Sequence, residues 1–397
     1  MTVAAAPAAV PDAVVAGHIA LDIYPQLSGP VAYEPGRLNV VGPALISAGG
    51  SVFNTGVALH RLGVPVRLVA KVGADLFGKA VLDALAGLPG EPSCEIAVAD
   101  GEVTSYTIAI SPPGVDRTFL HCAGANRSFC ADDVSDRALA GARVFHFGYP
   151  PLMREMYADG GAQLRRLFER AHAAGPATSL DLCGVDPHSE AGQIDWQPVL
   201  ANALPFVDVF APSVEELLFM LDRPAHRAMQ ESGGIAAFVD ASLLAELGER
   251  MIGLGVAVAA IKLGDQGLYL RTASDRERIG SFCERLGLSA EAWLDREVIA
   301  PCFEVPVVAG TTGSGDTTIA GLLAALLRGE GPADAATSAT AVGACSVESV
   351  DPTSAVPPWP AVAARLAAGW PRAALAIEVG ETVRGQRDPT GTLTLSR

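Results

Sequence analysis

Between residues 65 and 308, short β-rich runs alternate with helical runs, and this alternation restricts the possible folds more than any other feature of the chain. The β runs are Pro65–Val72, Arg143–Phe147, Ala177–Leu182, Val207–Phe210, Val256–Leu263 and Phe303–Val308. Strands separated by helical stretches run parallel and bury both faces, so the expectation is an α/β fold. It has a doubly wound, mostly parallel sheet with helices on both faces. Helical spacing is clearest at Thr55, Ala58, Leu59 and Leu62, and again at Ile319, Leu322, Leu323 and Leu326, each set falling at i, i+3, i+4, i+7. Residues 18–47 and 101–122 break the alternation. They read as strands without helices between them, the second holding Val103–Ile110, a Pro112-Pro113-Gly114 turn and Thr118–Cys122. A small separate sheet projecting from the main one is expected there. Residues 272–300 carry the mixed charges Asp275, Arg276, Glu277 and Arg278 and a weak helical pattern near Ala290–Glu297, and are expected to be a surface insertion. Residues 381–397 are expected to be a frayed polar tail, leaving 1–380 as one domain.

Composition narrows the function. Of 397 residues, half are hydrophobic and 18% charged, with a net charge of −16 and no basic run. Neither a nucleic-acid nor a membrane partner is expected. Such a chain binds phosphate through backbone N–H groups, a helix N-terminus or a metal ion. Seven cysteines, odd in number and without C-x-x-C spacing, argue against a disulfide framework or structural zinc and suit a reducing cytoplasm. Residues 1–17 lack the basic residues of a signal peptide, and no apolar stretch reaches bilayer length.

The segment Val307–Leu327, VVAGTTGSGDTTIAGLLAALL, runs from a β-rich stretch through a Gly/Thr/Ser loop into a helix beginning near Asp316. This arrangement presents unpaired N–H groups and a positive dipole end to an anion. Its spacing mimics a P-loop, with Asp316 standing where the lysine belongs. A carboxylate there cannot neutralise phosphate, but it can accept a proton from an attacking hydroxyl. Asp also caps helices well. Gly313 and Gly315 around Ser314 favour the chemical role, since capping alone does not require them. The second segment is Gly49–Gly78, GGSVFNTGVALHRLGVPVRLVAKVGADLFG. Its paired glycines permit close approach of a ligand, and Asn54 offers a donor and an acceptor to sugar hydroxyls. A glycine turn followed by a polar first-turn residue is the plainer alternative.

Taken together, Gly-Gly-x-x-x-Asn, then x-Gly-x-Asp-x-Phe-Gly, and later Thr-x-Gly-Ser-Gly-Asp at Thr311–Asp316 resemble the PfkB (ribokinase-like) carbohydrate kinase family over roughly Val14 to Val350. The resemblance implies a ribokinase-like domain with a small β-sheet lid. It implies transfer of the γ-phosphoryl group of ATP to a sugar-like hydroxyl, with Mg²⁺. Asp316 then looks like the catalytic base, and the backbone of Gly313, Ser314 and Gly315 looks like the anion hole. Asp22, Gly50 and Asn54 match substrate contacts. Gly264 in IKLGDQG, with Thr311, Gly313 and Gly315, matches the nucleotide site; Lys262 there replaces the family's usual Thr, and either reaches a phosphate or pairs with a surface acid. Glu216 fits the metal-organising Asn-x-x-Glu motif, although Ser213 replaces the Asn. Many members carry an Asp where this chain has Gly310, and bind an activating monovalent cation between that loop and a later one. Here the later loop is Val347–Pro357, so weak or absent potassium activation is expected, with Asp351 as the one possible replacement.

Arg117 is a candidate clamp for a charged group on the acceptor, although solvated exposure suits it better, and lid packing suits His121 and Cys122 better than substrate contact. A lid sheet with open edges suggests a homodimer. Two alternatives share the fold: a nucleoside kinase, and a sugar-binding sensor without turnover. A nicotinamide dehydrogenase lacks its cue, because no G-x-G-x-x-G follows the first strand.

Overall fold

The structure is a computed structural model that describes residues 10–113, 118–378 and 384–396. Its strands in chain order are β1 Ala13–Gly17, β2 Ala20–Pro25, β3 Ala44–Gly49, β4 Val66–Gly73, β5 Ser93–Ala99, β6 Tyr106–Ile110, β7 Thr118–Cys122 and β8 Val144–Gly148. They continue with β9 Ala177–Asp181, β10 Val209–Phe210, β11 Val258–Lys262, β12 Leu268–Thr272, β13 Glu297–Ala300, β14 Arg384–Arg387 and β15 Leu393–Ser396. Six helices bear on the site and its support: α1 Ser51–Arg61, α2 Val214–Leu221, α3 Arg276–Leu286, α4 Ala290–Trp293, α5 Ser314–Leu327 and α6 Pro332–Ser346.

The main sheet runs β14-β15-β13-β12-β11-β10-β9-β8-β1-β4-β5. From β5 to β11 every pairing is parallel. From β11 to β14 every pairing is antiparallel. Buried side chains form one cluster on each face, with α1, α3, α5 and α6 on one and the helical residues Leu164, Phe168, Leu217 and Leu247 on the other. The doubly wound sheet expected from the alternation is the sheet found. Its order reverses at β1, which lies between β4 and β8. Such a reversal opens a crevice beyond the carboxyl ends of the strands. The lid is a second sheet of order β3-β2-β6-β7, built from the two stretches that broke the alternation. Only His18 and Ile19 separate β1 from β2, and Asn126 holds the backbone of Ile19 from both sides. Among the described residues no helix is long and apolar enough to cross a membrane.

Three expectations are corrected. Phe303–Val308 is not a strand: it makes one bridge, Phe303 to Arg372, and leaves Val307 69% and Val308 57% exposed. The ladder position beside β13 belongs to β15, so this run has no free edge to join, and Pro306 interrupts it. Residues 272–300 are not a surface segment, since they hold α3, α4 and β13 and bury Ile279, Phe282, Leu286 and Trp293. Their charges have internal work. Asp275 caps α3, and Arg278 pairs with the buried Asp208 at 2.6 Å while donating to the carbonyls of Gly255 and Val207. Within 381–397, β14 and β15 close the sheet instead of fraying. Asp388 braces their turn by accepting from the N–H groups of Thr390 and Thr392, while Leu393 and Leu395 are buried. Arg372 ties this hairpin to α6 by donating to Thr337, Thr340 and Thr392.

A chain stopped after residue 383 should therefore lose about 3–6 kcal/mol, the burial of two leucines, and expose β13 as a sticky edge. Denaturant unfolding with light scattering reads both effects, and unchanged stability would restore the frayed tail.

Candidate active site

The loop before α5 turns as its glycines predict. Gly313 caps α5 in a left-handed conformation (φ 71°), and a Cβ there would lie 2.4 Å from Pro352 and 3.1 Å from Asn54 Nδ2. Only glycine satisfies both constraints. Helix geometry leaves the N–H groups of Gly315 and Asp316 without an intrahelical acceptor. The Ser314 hydroxyl donates to the carbonyl of Thr311 and so braces the loop from within, with Thr311 exposed at its start.

Asp316 does not cap the helix. It is the third helical residue and 1% exposed, and its Oδ2 accepts from Asn54 Nδ2 (2.9 Å) and from the Tyr149 hydroxyl (2.7 Å). Thr55 donates to Oδ1 at 3.4 Å. Burial raises its pKa above the ordinary carboxylate value, and the three donors together with Lys262 offset only part of that rise. The donors fix this buried carboxylate in one direction at the positive end of the helix.

The acceptor candidates converge on the same carboxylate. Gly50 caps α1 at φ 84°, where a Cβ would strike His18, and Asn54 lies one turn further along. Asp22 reaches in from β2 against Gly49, which has no room for a side chain, and is close enough to Asp316 for mutual repulsion. Burial raises the Asp22 pKa to about 6, against hydrogen bonds from Thr107 and Tyr24.

On the opposite side, Lys262 ends β11 and pairs with Asp181, which ends β9, at 2.5 Å, both buried. Gly264 lies two residues on, in the turn to β12. Glu216 and Ser213 form a reciprocal cap on α2: the Ser213 N–H donates to Glu216 at 2.7 Å, and the Glu216 N–H donates to Ser213. Among the described residues no three His, Cys, Asp or Glu side chains cluster to hold a metal.

Sequence reasoning missed Tyr149, Thr55, His18 and Asp181. Tyr149 follows β8 with φ 68° and precedes Pro150-Pro151, so the Pro-Pro pair after a strand was its available signal. For Asp181 the signal was an acid inside an apolar run. Arg117 lies outside the described residues. His121 accepts or donates to Thr107 within the lid, stands 5.3 Å from the His18 ring, and lines a cleft of about 610 Å³ with Arg127, Leu152, Arg154 and Glu190.

Gly310 lets two loops meet directly. The N–H groups of Ala309 and Gly310 donate to the carbonyl of Val347, and a Cβ at 310 would lie 3.0 Å from the Val350 carbonyl oxygen. Asp351 is saturated by its own loop, accepting from Ser349, Thr353 and Ser354.

Comparison with known proteins agrees with this geometry. The model of the pfkB family carbohydrate kinases matches residues 11–359. Arabidopsis thaliana ribokinase is 23% identical over 331 residues, 81% of this chain and 72% of that protein. Its structure complexed with ribose and ATP matches with a TM-score of 0.67 at 18% identity, covering 89% of this chain and 98% of that one. A fructokinase with bound ATP from Xylella fastidiosa also gives 0.67, at 19% identity over 90% and 98% of the two chains. The structural likeness carries the fold. The sequence match carries the descent: this chain belongs to the pfkB family of carbohydrate kinases, phosphotransferases whose acceptor is a sugar hydroxyl.

Proposed function

We propose that the protein transfers the γ-phosphoryl group of ATP to a hydroxyl of a sugar or sugar derivative, with Asp316 as general base. The observation that carries this reading is the Asp316 carboxylate, buried at the head of α5 and fixed by Asn54, Thr55 and Tyr149 rather than spent on capping. Asp22, Gly50 and Asn54 orient the acceptor. Its hydroxyl gives its proton to Asp316 as its oxygen bonds to the γ-phosphorus, and the bond from that phosphorus to the β–γ bridging oxygen breaks to leave ADP. The backbone of Gly313–Gly315 and the Lys262 ammonium meet the phosphoryl charge, while Thr311 and Gly264 border the nucleotide.

Mg²⁺ supplies charge neutralisation at the phosphates when bound. The donor set suits it: Mg²⁺ keeps several waters and takes few protein ligands. Glu216, with one oxygen held by the Ser213 N–H, would act on it through water. Unpaired thiols at all seven cysteines support a reducing, cytoplasmic setting. On the lid, Ile46, Phe119 and Leu120 are about half exposed, which supports pairing with a second copy there.

Asp316→Asn should keep the fold and lower turnover by about 10²–10⁴. A coupled ADP-release assay against sugars, sugar acids and nucleosides measures it, and a loss under about tenfold at normal stability would leave Asp316 without its role.

Asp22 gives a pH signature. Its folded pKa, about 6, lies above the ordinary 3.8, so its contribution to stability is present below about pH 4 and lost as pH rises through 6. Asp22→Asn should flatten that dependence, stabilise the protein by about 2–3 kcal/mol at pH 8 and weaken acceptor binding. Denaturant melts from pH 4 to 8 show whether the slope disappears; a slope that persists in the variant refutes the assignment.

Potassium should matter little, because Gly310 supplies no carboxylate and Asp351 is already saturated. Rates in potassium and tetramethylammonium buffers of equal ionic strength should agree within about twofold, and activation of about tenfold would overturn this.

A further inference from the structure

We propose that Asp181 is a positioning residue for phosphoryl transfer: its carboxylate holds the Lys262 ammonium at the Gly313–Gly315 loop and keeps it off the base, Asp316. The inference rests on the role given to Asp316 above.

The geometry starts with the sheet. Asp181 and Lys262 are the last residues of β9 and β11, the two strands that flank β10. Lys262 is fixed in register by its own N–H, which donates to the Pro212 carbonyl at 2.9 Å beside the Ser213 cap. Its side chain runs to the loop, so that a Cβ on Gly315 would sit 3.4 Å from Nζ. The ammonium, carried on β11, therefore stands beside Gly315 in the first turn of α5.

That ammonium has three carboxylates within electrostatic reach: Asp181, Glu216 and Asp316, with His146 on β8 and the Cys183 thiol facing the same charge. It contacts only the first, at 2.5 Å. Glu216 is engaged with the Ser213 N–H and Asp316 with Asn54, Thr55 and Tyr149. The second oxygen of Asp181, Oδ2, is buried without a hydrogen-bond partner, so Asp181 is not spending its charge on the backbone around it. A buried ammonium deprived of its counter-ion must find another. The acids left within its reach are Glu216 and Asp316, and the oxygens of the second must stay available for the acceptor's proton. A buried ion pair is a weak source of stability, and this one stands where charge controls chemistry.

The experiment compares Asp181→Asn, Lys262→Met and the double variant, with kcat, acceptor KM, the kcat–pH profile and thermal unfolding for each. Asp181→Asn should lower kcat by about tenfold or more beyond Lys262→Met, because it frees Lys262 to bind the base. Its acid limb should shift to lower pH, since an ammonium against Asp316 favours the ionised form. In the double variant that extra loss should vanish, leaving kcat within about threefold of Lys262→Met alone. A double variant about tenfold slower than Lys262→Met would show that Asp181 acts on its own and would overturn the proposal. If Asp181→Asn alone fails to fold, the double variant, which removes both partners, is still compared with Lys262→Met, where burial favours a neutral Asp181 carboxyl over an unpaired charge. An unshifted acid limb in a folded Asp181→Asn protein would overturn it equally. Failure of the base assignment is separately visible, as an Asp316→Asn enzyme that still turns over.

Discussion

One hydrogen bond ties the two halves of the site together. Asn54 in the first turn of α1 donates to Asp316 in the first turn of α5, 262 positions away in the chain. Both helices pack on the same face of the sheet, so this contact brings the first turns of α1 and α5 into one register. Gly313, Gly50 and Tyr149 all take positive φ around it: Gly313 clears Pro352 and Asn54, Gly50 clears His18, and Tyr149 aims its hydroxyl at the carboxylate. Because Asp316 is buried, its charge is tolerated only through these donors and the nearby Lys262. The placing of the Asp316 carboxylate and the integrity of the contact are therefore the same property.

What the sequence disclosed follows from how local the cause was. The parallel strands were legible because full burial writes continuous apolar runs, and the lid because two stretches lacked helices between their strands. The glycines of the anion loop were legible because they answer to φ and close approach, which are properties of single residues. The charge run at 275–278 misled because one acid became a helix cap and one arginine crossed to the buried Asp208, a partner 70 positions away. Phe303–Val308 misled because strand character depends on a free edge, and β15 had taken it. Tyr149 and Asp181 escaped notice because a lone Tyr or Asp at a strand end means little until the strand order places it at the crevice.

The sheet changes character at β11. On one side, parallel strands joined by helices place their carboxyl ends side by side, and those ends deliver Tyr149, Asp181 and Lys262. On the other side, antiparallel strands return the chain and serve to support rather than to present. The site is thus assembled where the first half ends, with α5 supplied from beyond the turn.

The pairing of β13 with β15 also makes a clasp. Everything between them, residues 301–392, forms one long loop that contains the anion loop, α5, α6 and the loop around Asp351. Closing so long a loop costs only modestly more entropy than closing a short one, yet the closure anchors the segment that bears Asp316. An edge hairpin is among the first elements to open in native fluctuations. Amide exchange in α5 is thereby linked to the opening of an edge hairpin, and the lifetime of the turn that starts α5 is set in part at the far rim of the sheet.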